Sequence, residues 1–314
     1  MVGGSLSSFS GSNMALDLDG TNDYVAAGEA ALGGSITVEC WIKPENIDDN
    51  WSGFVCKNNK AGSGEGVFWL GQHSTAGVVR FGIYLTGSNS TETYLDTDGA
   101  VLSNNSWYHV AATYDGNYQK IYINGSLVKT SADRNTVLPS GTSEYRIGLS
   151  TANYFDGIID EVRIWSAARS ADEIAVNMDR ELVGNESNLV AYYKMSNGSG
   201  TTLTDNSSNS NTGTLTNMVT SGGSSDWVTS DAPLGLTTYT ATFTPSSDRN
   251  TMIYIPASGF TDVATNNNFA SIPFYWTYDG TAPVYVSGTY VTGNNGKVKV
   301  RLSETVYNLS LIHI

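Results

Sequence analysis

Basic side chains are scarce in this chain: 16 Lys and Arg face 30 Asp and Glu over 314 residues, a formal net charge of −14. Phosphate binding needs a basic face, so this balance excludes nucleic acid as a partner, and it suits a secreted protein. Charge of either sign is thin, at 15% of residues, which fits neither a helical bundle nor a charged disordered chain. Only two cysteines occur, Cys40 and Cys56, on neighbouring expected strands. Nothing in the sequence fixes their separation, so a cross-strand disulfide and two buried thiols both remain open. No apolar run is long enough to span a bilayer, which excludes membrane insertion by a helix. No signal peptide is visible either. The Gly/Ser-rich opening, residues 1–13, reads as a linker, and the chain as an internal fragment. The three histidines, His73, His109 and His313, are far apart and form no triad or zinc spacing. No G-x-S-x-G motif is present. His109, inside an apolar strand, reads as a satisfied core histidine.

Gly, Ser, Thr and Asn abound, and aromatics reach 11%. That composition predicts many short strands joined by polar turns. Alternation gives strands at Met14–Leu18, Tyr24–Ala27, Ser35–Lys43, Gly53–Lys57, Val67–Gly71 and Val78–Leu85. A weak strand is expected near Tyr94. Further strands follow at Trp107–Thr113 and Gln119–Ile123, the latter turning at Asn124-Gly125 into Ser126–Thr130. Others are expected at Tyr145–Leu149, Asn188–Met195 and Thr214–Met218. A single helix is expected, with Ser170 as cap, Glu173 completing a capping box, and Ile174, Met178 and Leu182 as its apolar stripe.

The chain is organised around Phe155–Trp165, F-D-G-I-I-D-E-V-R-I-W. Strict alternation places Ile158, Asp160, Val162 and Ile164 on one face and Ile159, Glu161, Arg163 and Trp165 on the other. Apolar residues on both faces mark a strand covered on both sides. A carboxylate entering such a strand must be paired, hydrogen-bonded or bound to a cation. The expected neighbour is the first strand, which ends in Asp19-Gly20-Thr21-Asn22-Asp23. Asp19, Asn22, Asp23 and Asp160 are therefore expected to hold a calcium ion, since calcium takes six to eight oxygens. Asp205 and Asn209 are secondary contributors. The rival account is an Asx-turn at Asp19–Asn22 with a hydrogen-bonded Asp160.

Several motifs occur in a fixed order: D-G-T-N-D-Y-V (Asp19–Val25), I-T-V-E-C-W-I-K-P (Ile36–Pro44), W-Y-H-V-A-A-T-Y-D-G (Trp107–Gly116), I-Y-I-N-G (Ile121–Gly125) and the Phe155–Trp165 stretch. Together they resemble the bacterial laminin-G-like members of the concanavalin A-like lectin/glucanase superfamily. L-V-A-Y-Y-K-M (Leu189–Met195) and T-D-N-S-S-N-S-N-T-G-T-L (Thr204–Leu215) look like a segment that accompanies such domains. The resemblance implies an all-β jelly-roll sandwich over residues 14–234 and a structural calcium where its first and last strands meet. Residues 235–308 resemble partial immunoglobulin-like repeats, whose two halves are expected to pair into one rearranged small sandwich. Turns at Asp248, Asp262 and Asp279 are further calcium candidates there. Residues 309–314 fit no pattern.

Glucanases share this fold, and those of the superfamily show E-x-D-x-x-E. Here Ile158 stands where the first Glu belongs. Alternation sends Asp160 and Glu161 to opposite faces, whereas a retaining pair must stand ~5–5.5 Å apart. The expectation is a non-enzymatic module. Sugar sites stack exposed aromatics on pyranose rings beside orienting polar groups, and Trp51, Trp69, Tyr84 and Tyr94 are the candidates, Trp51 the most exposed. Trp41, Trp107 and Trp165 are expected in the core, and core packing is the rival reading for Trp69. The chain thus reads as an extracellular, cell-surface, bacterial adhesion module that binds carbohydrate or another surface glycoconjugate. The rivals are a purely structural stalk segment of a large adhesin and an accessory domain of a glycoside hydrolase.

Overall fold

The computed structural model describes residues 14–29, 32–48, 51–57, 66–84, 92–134, 138 and 143–234, and the backbone of strands at 6–8, 239–241, 249–253, 274–278, 285–290 and 298–302. The strands, in chain order, are β1 (Leu6–Ser8), β2 (Met14–Asp19), β3 (Tyr24–Ala27), β4 (Ile36–Pro44), β5 (Gly53–Lys57), β6 (Phe68–Gln72), β7 (Val79–Tyr84) and β8 (Glu92–Asp96). Then come β9 (Tyr108–Tyr114), β10 (Gln119–Ile123), β11 (Ser126–Thr130), β12 (Tyr145–Ile147) and β13 (Asp156–Trp165), followed by the helix α1 (Ala171–Asn177). The remainder are β14 (Leu189–Tyr193), β15 (Thr202–Leu203), β16 (Gly213–Thr216), β17 (Trp227–Thr229), β18 (Tyr239–Ala241), β19 (Arg249–Ile253), β20 (Phe274–Tyr278), β21 (Tyr285–Tyr290) and β22 (Val298–Leu302). Contacts divide the chain into two compact units, Ser10–Leu234 and a second made of Met1–Phe9 with Gly235–Ile314.

Ser10–Leu234 is a sandwich of two eight-stranded sheets, ordered β11-β10-β9-β4-β13-β2-β17, with β14 also beside β13, and β15-β16-β3-β12-β5-β6-β7-β8. Period-2 alternation builds it. On β4, Ile36, Val38, Cys40 and Ile42 enter the core, and on β7 so do Val79, Phe81 and Ile83, which leaves Glu39, Trp41, Arg80 and Tyr84 on the outer faces. Leu16, Val38 and Ile159 of one sheet share that core with Phe54, Phe68 and Phe81 of the other. Each such side chain stabilises the sandwich by roughly 1.5–3 kcal/mol relative to exposure. The expected jelly-roll is the observed architecture.

β13 is the centre of its sheet. It pairs with β4 on one side; on the other its first half meets β2, with Asp156 opposite Asp19 and Ile159 opposite Leu16, and its second half meets β14. The expected strict alternation along it fails. Glu161 adopts φ 50°, and the register against β4 slips between Asp160 and Arg163. Ile159, Val162 and Ile164 therefore all reach the core, while Arg163 and Trp165 pair across from Glu39 and Thr37.

α1 begins where expected, with both halves of the Ser170–Glu173 capping box present, but ends at Asn177. Met178 is its C-cap and Leu182 lies beyond it. The short strands β15 and β17 have too few residues to show a period. Cys40 and Cys56 are buried, lie in different sheets and are not joined in a disulfide. No helix among the described residues is long and apolar enough to cross a membrane.

In the second unit, β1, inside the stretch read as a linker, pairs with β18. β19 pairs with β20 and β21 with β22, each pair a separate two-stranded ladder. The described strands thus assemble no immunoglobulin-like sandwich, and the expected pairing of the two half-repeats is not among their ladders. Asp248, Asp262, Asp279 and residues 309–314 lie outside the described residues.

Candidate functional site

Four strands, β5 to β8, present one outer face on which all four expected ligand-binding aromatics gather. Register runs Cys56, Trp69, Gly82 and Tyr94 in one row across these strands. The next row is Gly53, Gly71, Arg80 and Asp96. Gly71 is required there, because any Cβ would strike the Ser52 carbonyl. Trp69 and Tyr84 pack with Cys56, and Trp51 leans on them from the preceding turn. The Trp51 ring lies 6.3 Å from Trp69 and 4.6 Å from His73, edge-on to both. Its backbone is left-handed, φ 62°, an uncommon state for a bulky residue. Ser150 Oγ donates to its carbonyl at 2.6 Å and holds it there.

Arg80 organises this face. Its Nε and Nη2 donate to the two Asp96 carboxylate oxygens at 2.5 and 2.7 Å, a bidentate pair. The same guanidinium lies 4.6 Å from the Trp51 ring centroid and 3.8 Å from that of Tyr94. His73 Nε2 stands 3.9 Å from Asp96, while its Nδ1 accepts the Thr75 amide. Tyr94 is the most open of the aromatics, 50% exposed, whereas Trp69 and Tyr84 are 6% and 4% exposed. Trp51, expected to be the most exposed, is half-buried because Arg80, His73 and Trp69 cover it. Arg80, Asp96 and His73 were missed at the sequence level. The signal was there: Arg80-x-Gly82-x-Tyr84 and Tyr94-x-Asp96 carry the outward phase of β7 and β8.

The four expected calcium ligands do not converge. Asp19 closes its turn by accepting the amides of Thr21 at 2.8 Å and Asn22 at 3.2 Å, and the Asp19 amide donates to Asp23 at 3.4 Å. Gly20, at φ 68°, packs this turn on Asp156. Asp160 lies four positions farther along β13 from Asp156, about 13 Å away at strand rise. It is fully buried; Ser230 Oγ donates to it at 2.5 Å and the Glu161 amide at 2.8 Å. Among the described residues no three His, Cys, Asp or Glu side chains form a group able to hold a metal. What does gather around the turn is charge. Burial, followed by Glu45, Asp226, Asp156 and Asp19, pushes the Asp17 carboxyl up to about 6. Burial and Asp19 push Asp23 up to about 6, against the hydrogen bond from the Asp19 amide. Asp205 accepts four hydrogen bonds, from Tyr192, Ser207 (twice) and Asn211, which fix its loop, and Asn209 donates to the Leu189 and Val190 carbonyls.

The β13 bulge bears on catalysis. Asp160 pairs opposite Trp41 of the outer face, and Glu161 bonds to outer-face groups, so the opposite-face argument against a carboxylate pair does not hold. Access decides instead. Asp160 is 0% and Glu161 1% exposed. Arg163 Nη2 at 2.5 Å and Tyr192 Oη at 2.7 Å both donate to Glu161. Arg163 also faces Glu39 at 3.9 Å, and these two carboxylates outweigh burial and hold its guanidinium above its ordinary value. Trp165 Nε1 donates to Glu39 at 2.9 Å. His109 is buried as expected, but on the outer face opposite Trp41 and unsatisfied: neither ring nitrogen has a hydrogen-bond partner, and Glu39 lies 3.5 Å from its Nε2. Trp41 and Trp165 are buried. Trp107 is not; it is half-exposed and donates to Asp231 at 2.6 Å.

Comparison with known proteins places this architecture. Residues 19–175 match the Laminin_G_3 family, described as the concanavalin A-like lectin/glucanases superfamily. Mus musculus Pappalysin-1 is 37% identical over 78 residues, which is 23% of this chain and 5% of that protein. Among solved structures, a Bacteroides ovatus protein designated carbohydrate-binding superposes with TM-score 0.53 at 22% identity, over 71% of this chain and 62% of that one. That likeness concerns the fold. The Ruminococcus gnavus IT-sialidase CBM40, solved with alpha2,3 sialyllactose, gives TM-score 0.42 at 16% identity over 53% of this chain and 98% of that module.

Proposed function

We propose that this chain, which belongs to the Laminin_G_3 family of the concanavalin A-like lectin/glucanase superfamily, is a non-catalytic carbohydrate-binding module acting outside the cell, with the outer face of β5–β8 as its binding surface. One observation carries the reading: Trp51 and Tyr94 flank the Arg80–Asp96 pair on strands held by continuous ladders. An aromatic ring offers the flat apolar surface that stacks on the C–H face of a pyranose, and Asp96 supplies an acceptor for its hydroxyls. Trp69 and Tyr84, both buried, act as the floor that sets the Trp51 and Cys56 positions. The Bacteroides ovatus neighbour supports the saccharide class, and the net charge of −14 suits a secreted chain. Adhesion to glycoconjugates of a cell surface is the corresponding role.

Calcium enters this proposal only as a screening counter-ion near Asp17, Asp19 and Asp23, with no coordinating cluster behind it among the described residues; burial first, and the neighbouring carboxylates after it, raise Asp17 and Asp23. A melting temperature that rises with calcium and falls with chelator, with both effects reduced in Asp17→Asn, supports it; an unchanged melting temperature removes it.

A glycan array tests the function. Binding that Trp51→Ala weakens by ~1–2 kcal/mol, with the melting temperature preserved, supports the module. Silence across all glycans supports a structural stalk segment instead.

A further inference from the structure

Resting on the saccharide-binding reading, we propose that this face selects neutral saccharides and discriminates against acidic ones, because the guanidinium at its centre, Arg80, is already held by Asp96 and the charged group left facing solvent is that carboxylate. Recognition of a uronate, sialate or sulfate calls for a guanidinium or ammonium with free N–H donors, preferably in bidentate geometry. Arg80 occupies the position such a cation would need, between the rings of Trp51 and Tyr94. Its bidentate donors are held by Asp96 at 2.5 and 2.7 Å, and the residue is only 8% exposed. Arg146, one strand beyond β5 on β12, is paired to Glu144 at 3.0 Å. Lys57, opposite core Phe68, does not belong to this face: it is buried, its Nζ 4.4 Å from the Tyr145 ring centroid and donating to the Ser143 carbonyl at 2.5 Å. At the rim, Arg134 donates to Gln119 Oε1 and the Tyr94 carbonyl, both at 3.2 Å.

What the face does present to solvent is the half-exposed ring of Tyr94, the open part of the Trp51 ring and the Asp96 carboxylate, whose side chain is 29% exposed. An ionised carboxylate accepts hydrogen bonds and cannot donate them, so it complements sugar hydroxyls and repels a sugar carboxylate or sulfate. The net charge of −14 adds to that repulsion at long range.

The experiment compares wild-type affinity for neutral oligosaccharides (arabinan, xylan, glucan and galactan fragments) with that for acidic ones (oligogalacturonate, sialyllactose, a sulfated galactan) at one ionic strength. The expected result is binding to at least one neutral glycan and binding to every acidic one weaker by about tenfold or more, equivalent to ~1.4 kcal/mol. Asp96→Asn, isosteric and releasing Arg80, should narrow that gap by improving acidic binding relative to neutral. An acidic glycan bound as tightly as the best neutral one by the wild type overturns the neutral selectivity while leaving saccharide binding standing. No binding to any glycan overturns both.

Discussion

Asp17 and His109 give opposite instructions on how stability should vary with acidity. Burial and the neighbouring carboxylates raise Asp17 from an ordinary 3.8 to about 6. Its folded form therefore holds a proton that the unfolded chain has released, so this group favours folding at low pH and loses that contribution as pH rises from about 4 through 6. Asp17→Asn should raise stability at pH 7 by about 1 kcal/mol or less after solvent screening, and flatten the dependence between pH 4 and 6. Chemical denaturation across that range checks both. His109 runs the other way. Burial, then Arg163 and Arg169, lowers it well below 6.5. Its contribution is complete above pH 6.5 and is lost as pH falls below that value, where only the unfolded chain takes up the proton. His109→Leu removes two buried ring nitrogens without partners and should reduce the loss of melting temperature between pH 7 and pH 5; an unchanged loss would assign the acid sensitivity to other groups. At this scale the sequence was informative about residue type and poor about environment. Trp51, Trp69, Tyr84 and Tyr94 were identifiable because each sits in or beside an alternating strand. Their order of exposure was not, because it depends on Arg80 and His73 approaching from elsewhere. The four residues expected to hold calcium do not converge, for a related reason. Asp160 lies along the correct neighbouring strand but four positions from the residue opposite Asp19, and a register is not written in either strand alone.

α1 shows what holds an element that its own sequence could not. Seven residues are too few for a stable isolated helix. The Ser170–Glu173 box closes its start. The carbonyls of its last residue and C-cap are met from β13 and β4: Arg163 donates to Asn177 at 2.7 Å and Trp41 to Met178 at 2.6 Å, while Arg163 also donates to the Arg180 carbonyl just beyond the helix at 2.6 Å. Ser170→Ala should therefore cost about 1 kcal/mol. Arg163→Ala, which strands Glu161 and Glu39 in the interior, should cost ~3–5 kcal/mol. Urea titrations of the two variants decide whether this network or the cap governs the region; equal small losses would contradict the account. The cap was readable from S-x-x-E. The bulge in β13 was not, because Asp160 and Glu161 carry no glycine to announce it. The left-handed Glu161 is held by its side-chain bonds to Arg163 and to Tyr192, 31 residues away.

At the scale of the whole molecule, the sandwich was legible because its two sheets repeat one rule: alternate residues inward, polar turns between. Its edges were less so. β8 reads weakly from sequence, yet it carries Tyr94 and Asp96; its Thr93 carbonyl and that of Phe81 on β7 accept from Gln119 of the other sheet, at 3.3 and 2.9 Å. The sheet is thus a rigid carrier, and removing an exposed ring should change binding without changing the fold. A glycan array read side by side with wild-type protein and Tyr94→Ala tests this most directly. Wild-type binding to a saccharide, lost or reduced about tenfold in Tyr94→Ala at an unchanged melting temperature, is the predicted result. Equal binding by the two proteins would contradict it.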